Sequence, residues 1–384
     1  MQGFNNVYAG KTVLVTGHTG FKGSWLGIWL IELGAKVIGY GLDPLYSKSN
    51  FVLAKLEDRI VDIRGDIRDF DKLKEVFSKY RPDYVFHLAA QPIVAQSYEQ
   101  PVYTYEVNVM GTINVLECVR RTESAKVGIF ITTDKCYENK EQVWGYKEID
   151  SLGGYDPYSS SKAACEVAIS SWRQSFMNPN QYNKHGKAIA SVRAGNVIGG
   201  GDWAINRIIP DCIKAMENKQ SINIRNPQSV RPWQYVLEPL NGYLMLGQKM
   251  TENPIKYSEA WNFGPNLDSV VTVWQIANEI IKQYGWGDLK DISSEEGMHE
   301  AQLLNLDISK AKLRLGWSPK LPIEIAIQYT VDWYKRYKQN DVYNLCVEQI
   351  NRYMNETSLS LTENKKILKH SIKGIKDEVA ATKI

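Results

Sequence analysis

A tyrosine and a lysine four positions apart are the residues of this sequence best suited to chemistry, in the segment Tyr158-Ser-Ser-Ser-Lys162. At this spacing the two side chains lie on one face of a helix, one turn apart. The lysine ammonium favours the ionised phenol, so we expect it to lower the tyrosine pKa and make the phenol a base near neutral pH. Such a pair serves the oxidation or reduction of a hydroxyl group.

Thr133, Asp134 and Lys135 follow a predicted strand and bring a second acid/base pair. That strand should point into the cleft that holds the tyrosine and the lysine. A carboxyl group and an amine beside the first pair would allow an enzyme to expel water as well. The alternative interpretation of Asp134 and Lys135 is a structural ion pair at a strand end.

Strands alternate with helices over the first half of the chain. Apolar runs predict strands at about 11–16, 36–40, 84–88, 126–133 and 189–193, and helical spacing predicts helices at about 24–33, 70–80, 107–121 and 155–176. Runs that are apolar throughout indicate a parallel sheet with helices on both faces. We therefore predict an α/β fold with a Rossmann-type, doubly wound parallel sheet.

The composition argues against several classes of function. A net charge of +3 on 384 residues gives no reason to expect nucleic-acid or membrane binding, and no apolar run approaches the ~18 residues that span a bilayer. The five cysteines show neither disulfide nor zinc spacing, so we predict no metal site. The N-terminal residues lack the order of a secretion signal, so we expect a reducing cytoplasm.

A glycine-rich loop, Gly17-His-Thr-Gly20-Phe-Lys-Gly23, lies between the first strand and the first helix. Glycines there permit a tight turn and a close backbone approach to a pyrophosphate at the helix N-terminus. The spacing is GxxGxxG rather than GxGxxG, but its place between strand and helix favours a dinucleotide site. Asp43 would bind the adenosine ribose and favour NAD over NADP, or else it is a turn aspartate before Pro44.

Further cofactor contacts are predicted around this loop. His18 and Lys22 would touch phosphate or remain solvated, Asp66 and Ile67 would line the adenine pocket, and a small-residue strand end would let the cofactor lie close. The full predicted set is Gly17, His18, Gly20, Phe21, Lys22, Gly23, Asp43, Asp66, Ile67, Leu88, Ala89, Ala90, Tyr158 and Lys162.

After Asn196 the sequence becomes rich in Gly, Pro and Trp, with short regular pieces. We predict a dinucleotide-binding domain at 10–195, a smaller, loop-rich substrate-binding region at 196–340, and a tail at 341–384 without an assigned role. The last part of that tail, from about 361, is rich in lysine and lacks aromatic residues. It is either a surface helix or a disordered end.

Taken together, these motifs resemble the extended short-chain dehydrogenase/reductase family and, within it, the sugar-nucleotide 4,6-dehydratases. The resemblance extends from about residue 10 to 334. Longer stretches at 17–25, 134–137, 195–203 and 231–234 are similar to the branch that acts on CDP-glucose. The matching motifs are the glycine loop 17–23, His87-Leu-Ala-Ala90, Thr132-Thr-Asp-Lys135, the Tyr158–Lys162 segment and Arg193-Ala-Gly-Asn196.

The resemblance implies that NAD is the cofactor and that CDP-D-glucose becomes CDP-4-keto-6-deoxy-D-glucose. Tyr158 would take the proton of the 4-hydroxyl as hydride leaves C4, with Lys162 on the ribose and Thr133 on the same hydroxyl. The 4-ketone acidifies the C5 proton, so Lys135 would remove it while Asp134 protonates the departing C6 hydroxyl. Hydride then returns to C6 and a proton to C5, so NAD is regenerated and the net reaction is the loss of water. Most members carry Asp-Glu at this pair, and Asp-Lys is the departure of the CDP-glucose branch.

These roles demand particular protonation states. Lys135 must be neutral to accept a proton, so burial and nearby positive charge must lower its pKa. Asp134 must stay protonated, so burial must raise its pKa. Opposite charges side by side would do the reverse.

Substrate contacts are predicted mainly after residue 190. Guanidinium groups match phosphate oxygens in two-point geometry, so Arg207, Arg225 and Arg231 are candidates for a diphosphate clamp, although Arg207 and Arg225 could be surface charges. The resemblance adds Asn196. The full predicted set is Gln91, Asn196, Arg207, Arg225, Arg231 and His299.

Other functions share many of these features. A sugar-nucleotide 4-epimerase has the same fold, cofactor and Tyr/Lys pair but needs no second acid/base pair, and a 4,6-dehydratase for another nucleotide sugar would keep the mechanism. A non-catalytic NAD-binding sensor commonly loses the tyrosine or the lysine, and both are present here. The resemblance also implies a homodimer or homotetramer, formed through the helices at 107–121 and 155–176, unless their apolar faces only cover the sheet.

Overall fold

A computed structural model describes residues 3–266, 269–293 and 304–356 of the chain. Within these ranges the strands are β1 (Thr12–Thr16), β2 (Lys36–Gly41), β3 (Val61–Arg64), β4 (Tyr84–His87), β5 (Val127–Ile131), β6 (Ala188–Ala194), β7 (Asn196–Ile198), β8 (Ile222–Ile224), β9 (Val230–Tyr235), β10 (Ala260–Phe263), β11 (Val270–Thr272) and β12 (Leu289–Asp291).

The α-helices of the same ranges cover both faces of the main sheet and form much of the second half. They are α1 (Phe21–Glu32), α2 (Asn50–Leu53), α3 (Phe70–Tyr80), α4 (Val94–Glu99), α5 (Pro101–Tyr105), α6 (Gly111–Arg121), α7 (Pro157–Ser175), α8 (Tyr182–His185), α9 (Ile208–Glu217), α10 (Leu237–Glu252), α11 (Pro254–Tyr257), α12 (Val273–Tyr284), α13 (Ile323–Arg336) and α14 (Val342–Asn355).

Seven parallel strands form the main sheet, in the order β10-β6-β5-β4-β1-β2-β3. The chain moves outward from β1 in both directions, which confirms the predicted doubly wound fold. Successive residues of β1 alternate between two hydrophobic cores: Val13 and Val15 pack into one and Leu14 into the other. In such a sheet, ligands bind at the carboxyl ends of the strands where the order reverses, here between β1 and β4.

Two smaller sheets lie beside the main one. The first has the order β11-β9-β7, with β7 parallel to β9, and the second pairs β12 with β8. The register of the first sheet sets Asn196 opposite Trp233. It therefore brings two stretches of the second half, after residues 195 and 230, to the edge where β6 ends.

The second half contains more regular structure than its composition suggests. α10 is 16 residues long and almost wholly buried, so it lacks the polar face that marks a surface helix. β10 completes the main sheet by pairing with β6, so the predicted boundary at 195/196 does not separate the sheet from the rest of the chain. The predicted helix at 107–121 is α6 preceded by a π-helical turn at Glu106–Met110.

The predicted tail begins as a packed helix. α14 buries Tyr353 against α1 and the N-terminal part of α10, where the Tyr353 hydroxyl donates to Glu238 Oε2 at 2.7 Å. The Lys-rich stretch after 361 lies outside the described residues. Among the residues that are described, no helix has the length and apolarity needed to cross a bilayer.

Candidate active site

The glycine loop after β1 is packed too tightly for side chains. Gly17 has φ +71°, and a Cβ there would lie 2.7 Å from the backbone nitrogen of Ala89. A Cβ on Gly23 would lie 2.1 Å from the carbonyl oxygen of Gly17. Gly20 is the N-cap of α1 and uses no side chain to cap it. The loop thus leaves a cradle of bare backbone at the N-terminus of α1, next to the end of β4 at Leu88 and Ala89.

The His18 side chain of this loop is buried. The His18 ring lies beneath the loop, where Nε2 is 2.7 Å from Asp62 Oδ1 and the ring edge meets Phe51. The ring thus contacts Asp62 of β3. This differs from the prediction that His18 touches phosphate or remains solvated. The ring of Phe21 lies close to Gly199, on the side of the second half.

Lys22 lies in the first turn of α1, and its ammonium is electrostatically coupled to Lys162 on α7. Burial first, and then the charges of Lys162 and Arg207, lower the pKa of its ammonium to about 8. The Asp134 charge acts in the opposite direction. These couplings place the Lys22 ammonium near the chemical site, so its predicted cofactor contact is on the side where the reaction would occur.

The strand ends beyond the loop hold the residues predicted for adenosine. Asp43 is exposed, with Oδ1 3.7 Å from Arg64 Nε. Arg64, at the end of β3, was not foreseen from the sequence. Ile67 is buried, and Asp66 accepts a hydrogen bond from Arg68 Nη2 at 2.8 Å. An open cavity of about 420 Å³ includes Asp66, but not Asp43 or Ile67, in its lining, which consists of Asp66, Arg68, Asp69, Glu106 and Met110.

The predicted Tyr/Lys helix is α7. It begins at Pro157, and the carboxylate of Asp156 caps it by accepting from the Ser159 backbone N–H at 2.9 Å. Tyr158 and Lys162 are both buried on its inner face. The Lys162 ammonium donates to the carbonyl oxygen of Ile131, at the end of β5, over 3.3 Å. Helix α7 thus orients both side chains toward the carboxyl edge of the sheet, as predicted.

The ionisation of Tyr158 differs from the sequence-based expectation. Burial raises the pKa of Tyr158 to about 12, although a hydrogen bond with Thr133 and the charge of Arg207 lower it in part. The expected lowering by Lys162 is therefore wrong for the protein by itself. Burial outweighs the neighbouring charge and also lowers the pKa of Lys162 itself.

The second acid/base pair lies in a 3₁₀ turn, Asp134–Cys136, directly after β5. Thr133 caps this turn, and its hydroxyl donates to Asp134 Oδ1 at 3.0 Å. The Asp134 carboxyl group is buried against Gly195, where a Cβ would lie 2.7 Å from Oδ2. Burial raises the pKa of Asp134 despite the opposing charges of Lys135 and Arg231. This direction is the one that a general acid requires.

A buried polar network behind this pair was missed by the sequence reasoning. Glu166 and Arg193 form an ion pair with Oε2 and Nη2 2.8 Å apart, and both are almost fully buried. Glu166 also accepts from the hydroxyls of Thr132 and Ser191. Arg193 Nη1 donates to the Tyr137 hydroxyl at 2.7 Å. Two signals were available: Glu166 follows Lys162 by four positions on α7, and Arg193 interrupts an apolar strand.

The predicted substrate residues fall into two groups. Asn196 begins β7, and Arg231 lies on β9 close enough to Asp134 to affect its pKa. Arg207 Nη1 is 2.7 Å from Asp202 Oδ2, and its charge reaches Tyr158. These side chains lie around the catalytic pairs.

The remaining predicted substrate residues lie in positions less suited to contact with substrate, or outside the described residues. Arg225 is exposed at the end of β8, where Nη2 donates to Asn206 Oδ1 at 3.1 Å. Gln91 is buried, and its amide is engaged at both ends, with Nε2 donating to Thr104 Oγ1 and Oε1 accepting from the Ile93 backbone. The structure therefore gives Gln91 a role in holding its loop. His299 lies outside the described residues.

Comparison with known proteins agrees with this geometry. Residues 14–330 match the family described as GDP-mannose 4,6 dehydratase. A CDP-glucose 4,6-dehydratase of Salmonella typhimurium is 48% identical over 356 residues, which are 92% of this chain and 99% of the relative. A dTDP-glucose 4,6-dehydratase of Haemophilus influenzae is 28% identical over 84% of this chain and 97% of the relative.

A solved structure resembles the whole fold. The UDP-glucose 4-epimerase of Thermotoga maritima, determined with UDP-glucose, superposes with a TM-score of 0.72 at 25% identity, covering 85% of this chain and all (100%) of the epimerase chain. The same scaffold thus occurs in proteins named for dehydration and in proteins named for epimerisation. The residues at the site must distinguish the two reactions.

Proposed function

The chain belongs to the GDP-mannose 4,6 dehydratase family, and from this premise we propose that it is an NAD-dependent lyase that converts CDP-D-glucose to CDP-4-keto-6-deoxy-D-glucose. The observation that carries the proposal is the buried Asp134, with its raised pKa, beside Lys135 and within the cleft of Tyr158 and Lys162. A neutral carboxylic acid and an amine next to an oxidising pair are what the loss of water requires. The strong similarity to the Salmonella enzyme supports CDP-glucose as the substrate.

The residues around β1 and β4 fit NAD. The positions at Gly17 and Gly23, where a Cβ would collide with backbone, leave room for a pyrophosphate at the N-terminus of α1. Asp43 would bind the adenosine ribose, and Asp66 and Ile67 would line the adenine pocket beside the open cavity. When bound, NAD supplies the acceptor and later the donor of hydride, together with a positive charge beside the phenol.

In the oxidation step, Tyr158 accepts the proton of the sugar 4-hydroxyl, and Thr133 bonds the same hydroxyl. The Tyr158 pKa of about 12 shows that burial opposes this ionisation. The Arg207 charge lowers the pKa of Tyr158 in part, and the positive charge that the cofactor would bring beside the phenol would favour the phenolate further. Lys162 also has the position to hold the cofactor ribose.

In the elimination step, the neutral Asp134 donates its proton to the departing C6 hydroxyl, and Lys135 takes the proton from C5. Burial raises the pKa of Asp134 and so favours its protonated form, and the Thr133 hydroxyl donates to Oδ1. Lys135 lies beside it in the same turn and is only partly buried. Arg231 and Arg207 supply guanidinium groups for the substrate diphosphate, and Asn196 opens the adjacent strand.

A sugar-nucleotide 4-epimerase is the alternative, since the epimerase fold superposes on this one. Epimerisation inverts one carbon and has no departing hydroxyl, so it does not require a buried carboxylic acid as proton donor. The enclosure of Asp134 against Gly195 therefore favours dehydration. A non-catalytic NAD sensor is disfavoured by the complete set of Thr133, Tyr158 and Lys162.

We also propose that the enzyme is a homodimer, or a homotetramer built from such dimers. A strip of exposed apolar side chains on the outer face of α5 and α7 and the π-turn supports this, since isolated subunits rarely expose such strips. A groove lined by Pro101, Val102, Tyr105, Glu106, Val109 and Met110 continues it. The strip comprises Val102, Tyr105, Met110, Val167 and Phe176.

The proposed product is an intermediate for deoxy sugars, and we place its use in the synthesis of surface polysaccharide such as the O-antigen of lipopolysaccharide. All five cysteines carry free, buried thiols, which suits a protein that works in the reducing cytoplasm. No nucleic acid or membrane partner is needed for this role.

The purified protein should be incubated with NAD and CDP-glucose, dTDP-glucose, UDP-glucose or GDP-mannose in deuterated water. The products are then returned to ordinary water, so that only carbon-bound deuterium remains, and weighed by mass spectrometry. We expect loss of water and gain of one deuterium from CDP-glucose alone. Reaction of another nucleotide sugar would overturn the substrate, and an unchanged mass with inverted C4 would overturn the reaction in favour of epimerisation.

A further inference from the structure

The buried ion pair of Glu166 and Arg193 lies directly behind the acid/base pair. Its two charged groups are 2.8 Å apart, and both side chains have only a few per cent of their surface exposed. Burial alone would raise the pKa of Glu166, but the charge and the hydrogen bond of Arg193 lower it below its ordinary value. The pair is therefore ionised in the interior of the protein.

This ion pair holds both ends of the segment that carries the acid and the base. At the front end, the Thr132 hydroxyl donates to Glu166 Oε1, and the Thr132 backbone N–H donates to the carbonyl of Val192 at 2.9 Å. At the far end, Arg193 Nη1 donates to the Tyr137 hydroxyl at 2.7 Å, and its guanidinium lies 4.8 Å from the Tyr137 ring centre. Only residues 133–136 lie between these two anchors.

The same pair connects the segment to the rest of the catalytic machinery. Glu166 lies one turn beyond Lys162 on α7, so it belongs to the helix that carries Tyr158. Arg193 lies two residues before Gly195, against which the Asp134 carboxyl group packs. Movement of the pair would therefore change the position of Asp134 relative to Tyr158.

Stability alone gives a weak account of this arrangement. Removing two charges from water costs several kcal/mol per ion, and well-packed apolar residues often replace a buried ion pair without loss of stability. α7 is a long, capped helix that holds Tyr158 and Lys162 by its own packing. The turn at 134–136 is a single 3₁₀ turn, which has no such internal support. The turn is thus the part that depends on external anchors.

We propose that Glu166, Arg193, Thr132 and Tyr137 are positioning residues that hold Asp134 and Lys135 for the elimination step. The oxidation at C4 depends on them much less, because Tyr158 and Lys162 are held by α7 and only Thr133 of the anchored segment takes part in it. This inference rests on the proposed function. If the network positions the acid and the base, its loss should slow elimination much more than oxidation. A purely structural role would affect both steps equally.

The two steps can be measured separately. The 6-deoxy analogue of CDP-glucose has no C6 hydroxyl to lose, so a single turnover with it reports only the oxidation at C4, through formation of NADH. CDP-glucose in deuterated water reports the elimination, through product formation and uptake of deuterium at C5. The ratio of the two rates is the quantity of interest.

Thr132→Val removes the hydroxyl that donates a hydrogen bond to Glu166 and keeps the shape of the side chain, and Thr132→Ser keeps the hydroxyl. Tyr137→Phe removes the hydroxyl bound by Arg193. Tyr8→Phe is the matched control, because the buried Tyr8 hydroxyl donates to the carbonyl of Leu244 at 2.7 Å, away from the site.

We expect Thr132→Val and Tyr137→Phe to slow elimination by about tenfold or more, since misplacement of catalytic groups by a fraction of an ångström has effects of this order. Oxidation of the 6-deoxy analogue should change by less than about threefold, and Thr132→Ser and Tyr8→Phe should keep both rates. Equal losses in both steps, or no loss in either, would overturn the positioning role. A wild-type protein that leaves CDP-glucose unchanged would instead overturn the proposed function.

Discussion

Gly195→Ala tests the position of the proposed general acid. An alanine Cβ at this site would lie 2.7 Å from Asp134 Oδ2, whereas ordinary contacts begin at 3.4 Å. The other near atom, Cγ of Pro232, is at an ordinary 3.7 Å. Because the colliding atom ends a side chain, the backbone can stay in place while the carboxyl group retreats by about 0.7 Å, the difference between collision and ordinary contact.

This displacement sets the expected magnitude. A misplacement of about 1 Å at a reacting group costs on the order of a hundredfold in rate, so a shift of about 0.7 Å should slow dehydration by about thirtyfold. That factor corresponds to about 2 kcal/mol of transition-state stabilisation. The oxidation at C4 does not use Asp134, and we expect it to fall by less than about threefold.

The assay is turnover of CDP-glucose together with a single turnover of its 6-deoxy analogue, on protein whose thermal unfolding has been recorded. Gly27→Ala is the matched control, because its Cβ would meet only Cδ1 of Leu56, at 4.0 Å. Gly27 lies within α1, where alanine should stabilise the helix by roughly 0.5–1 kcal/mol. This control should therefore keep full activity and unfold at the same or a higher temperature.

Two results would refute the reasoning for Gly195. Dehydration within about threefold of the wild-type rate would mean that the Asp134 carboxyl group has no fixed place in the reaction. An equal loss of both steps, with a lower unfolding temperature, would mean that the backbone rather than the acid had moved.

Three other substitutions test the cofactor cradle and the charges around it. Gly23→Ala places a Cβ 2.1 Å from the Gly17 carbonyl oxygen. Calorimetry should show loss of NAD binding, with a destabilisation of the fold of about 1–3 kcal/mol. Unchanged NAD affinity would mean that the glycine loop does not bind the cofactor. The Lys22 pKa of about 8 means that its charge is present below that pH and lost above it. The KM for NAD should therefore rise above pH 8 in the wild type but not in Lys22→Arg. Parallel pH profiles of KM in the two proteins would contradict a role of Lys22 in binding the cofactor. Tyr158→Phe should slow both dehydration of CDP-glucose and oxidation of its 6-deoxy analogue by about 10²-fold or more, measured with the two assays described for Gly195→Ala. A loss confined to elimination would mean that Tyr158 is not the base of the oxidation step.

The fold was predictable where strands are buried on both faces. β1, β2, β4, β5 and β6 are runs of apolar residues, and each was recognised within two residues of its ends. β3 was missed because this edge strand alternates polar and apolar residues, as in Val61-Asp-Ile-Arg64. α10 was missed for the opposite reason, since it is buried all round and shows no periodicity.

The site was predictable where local spacing determines geometry. The glycine loop follows β1, and the turn at 134–136 and the Tyr/Lys helix follow β5, two positions away in the same parallel sheet. Parallel strands bring their carboxyl ends together. Contacts between distant segments carried no such signal. His18 is drawn beneath its loop by Asp62, 44 positions away, and Glu166 and Arg193 meet only because α7 packs on β6.

The ionisation states show most clearly why spacing is insufficient. A tyrosine and a lysine one turn apart suggest a lowered tyrosine pKa, but burial raises the pKa of Tyr158 to about 12. The same burial raises the pKa of Asp134, which is the direction that the general acid of a dehydration needs. Burial in the same cleft therefore helps the acid and hinders the base. Base function at Tyr158 must then depend on positive charge from separate elements, including Arg207 before α9, and no pair of neighbouring residues in the sequence contains that information.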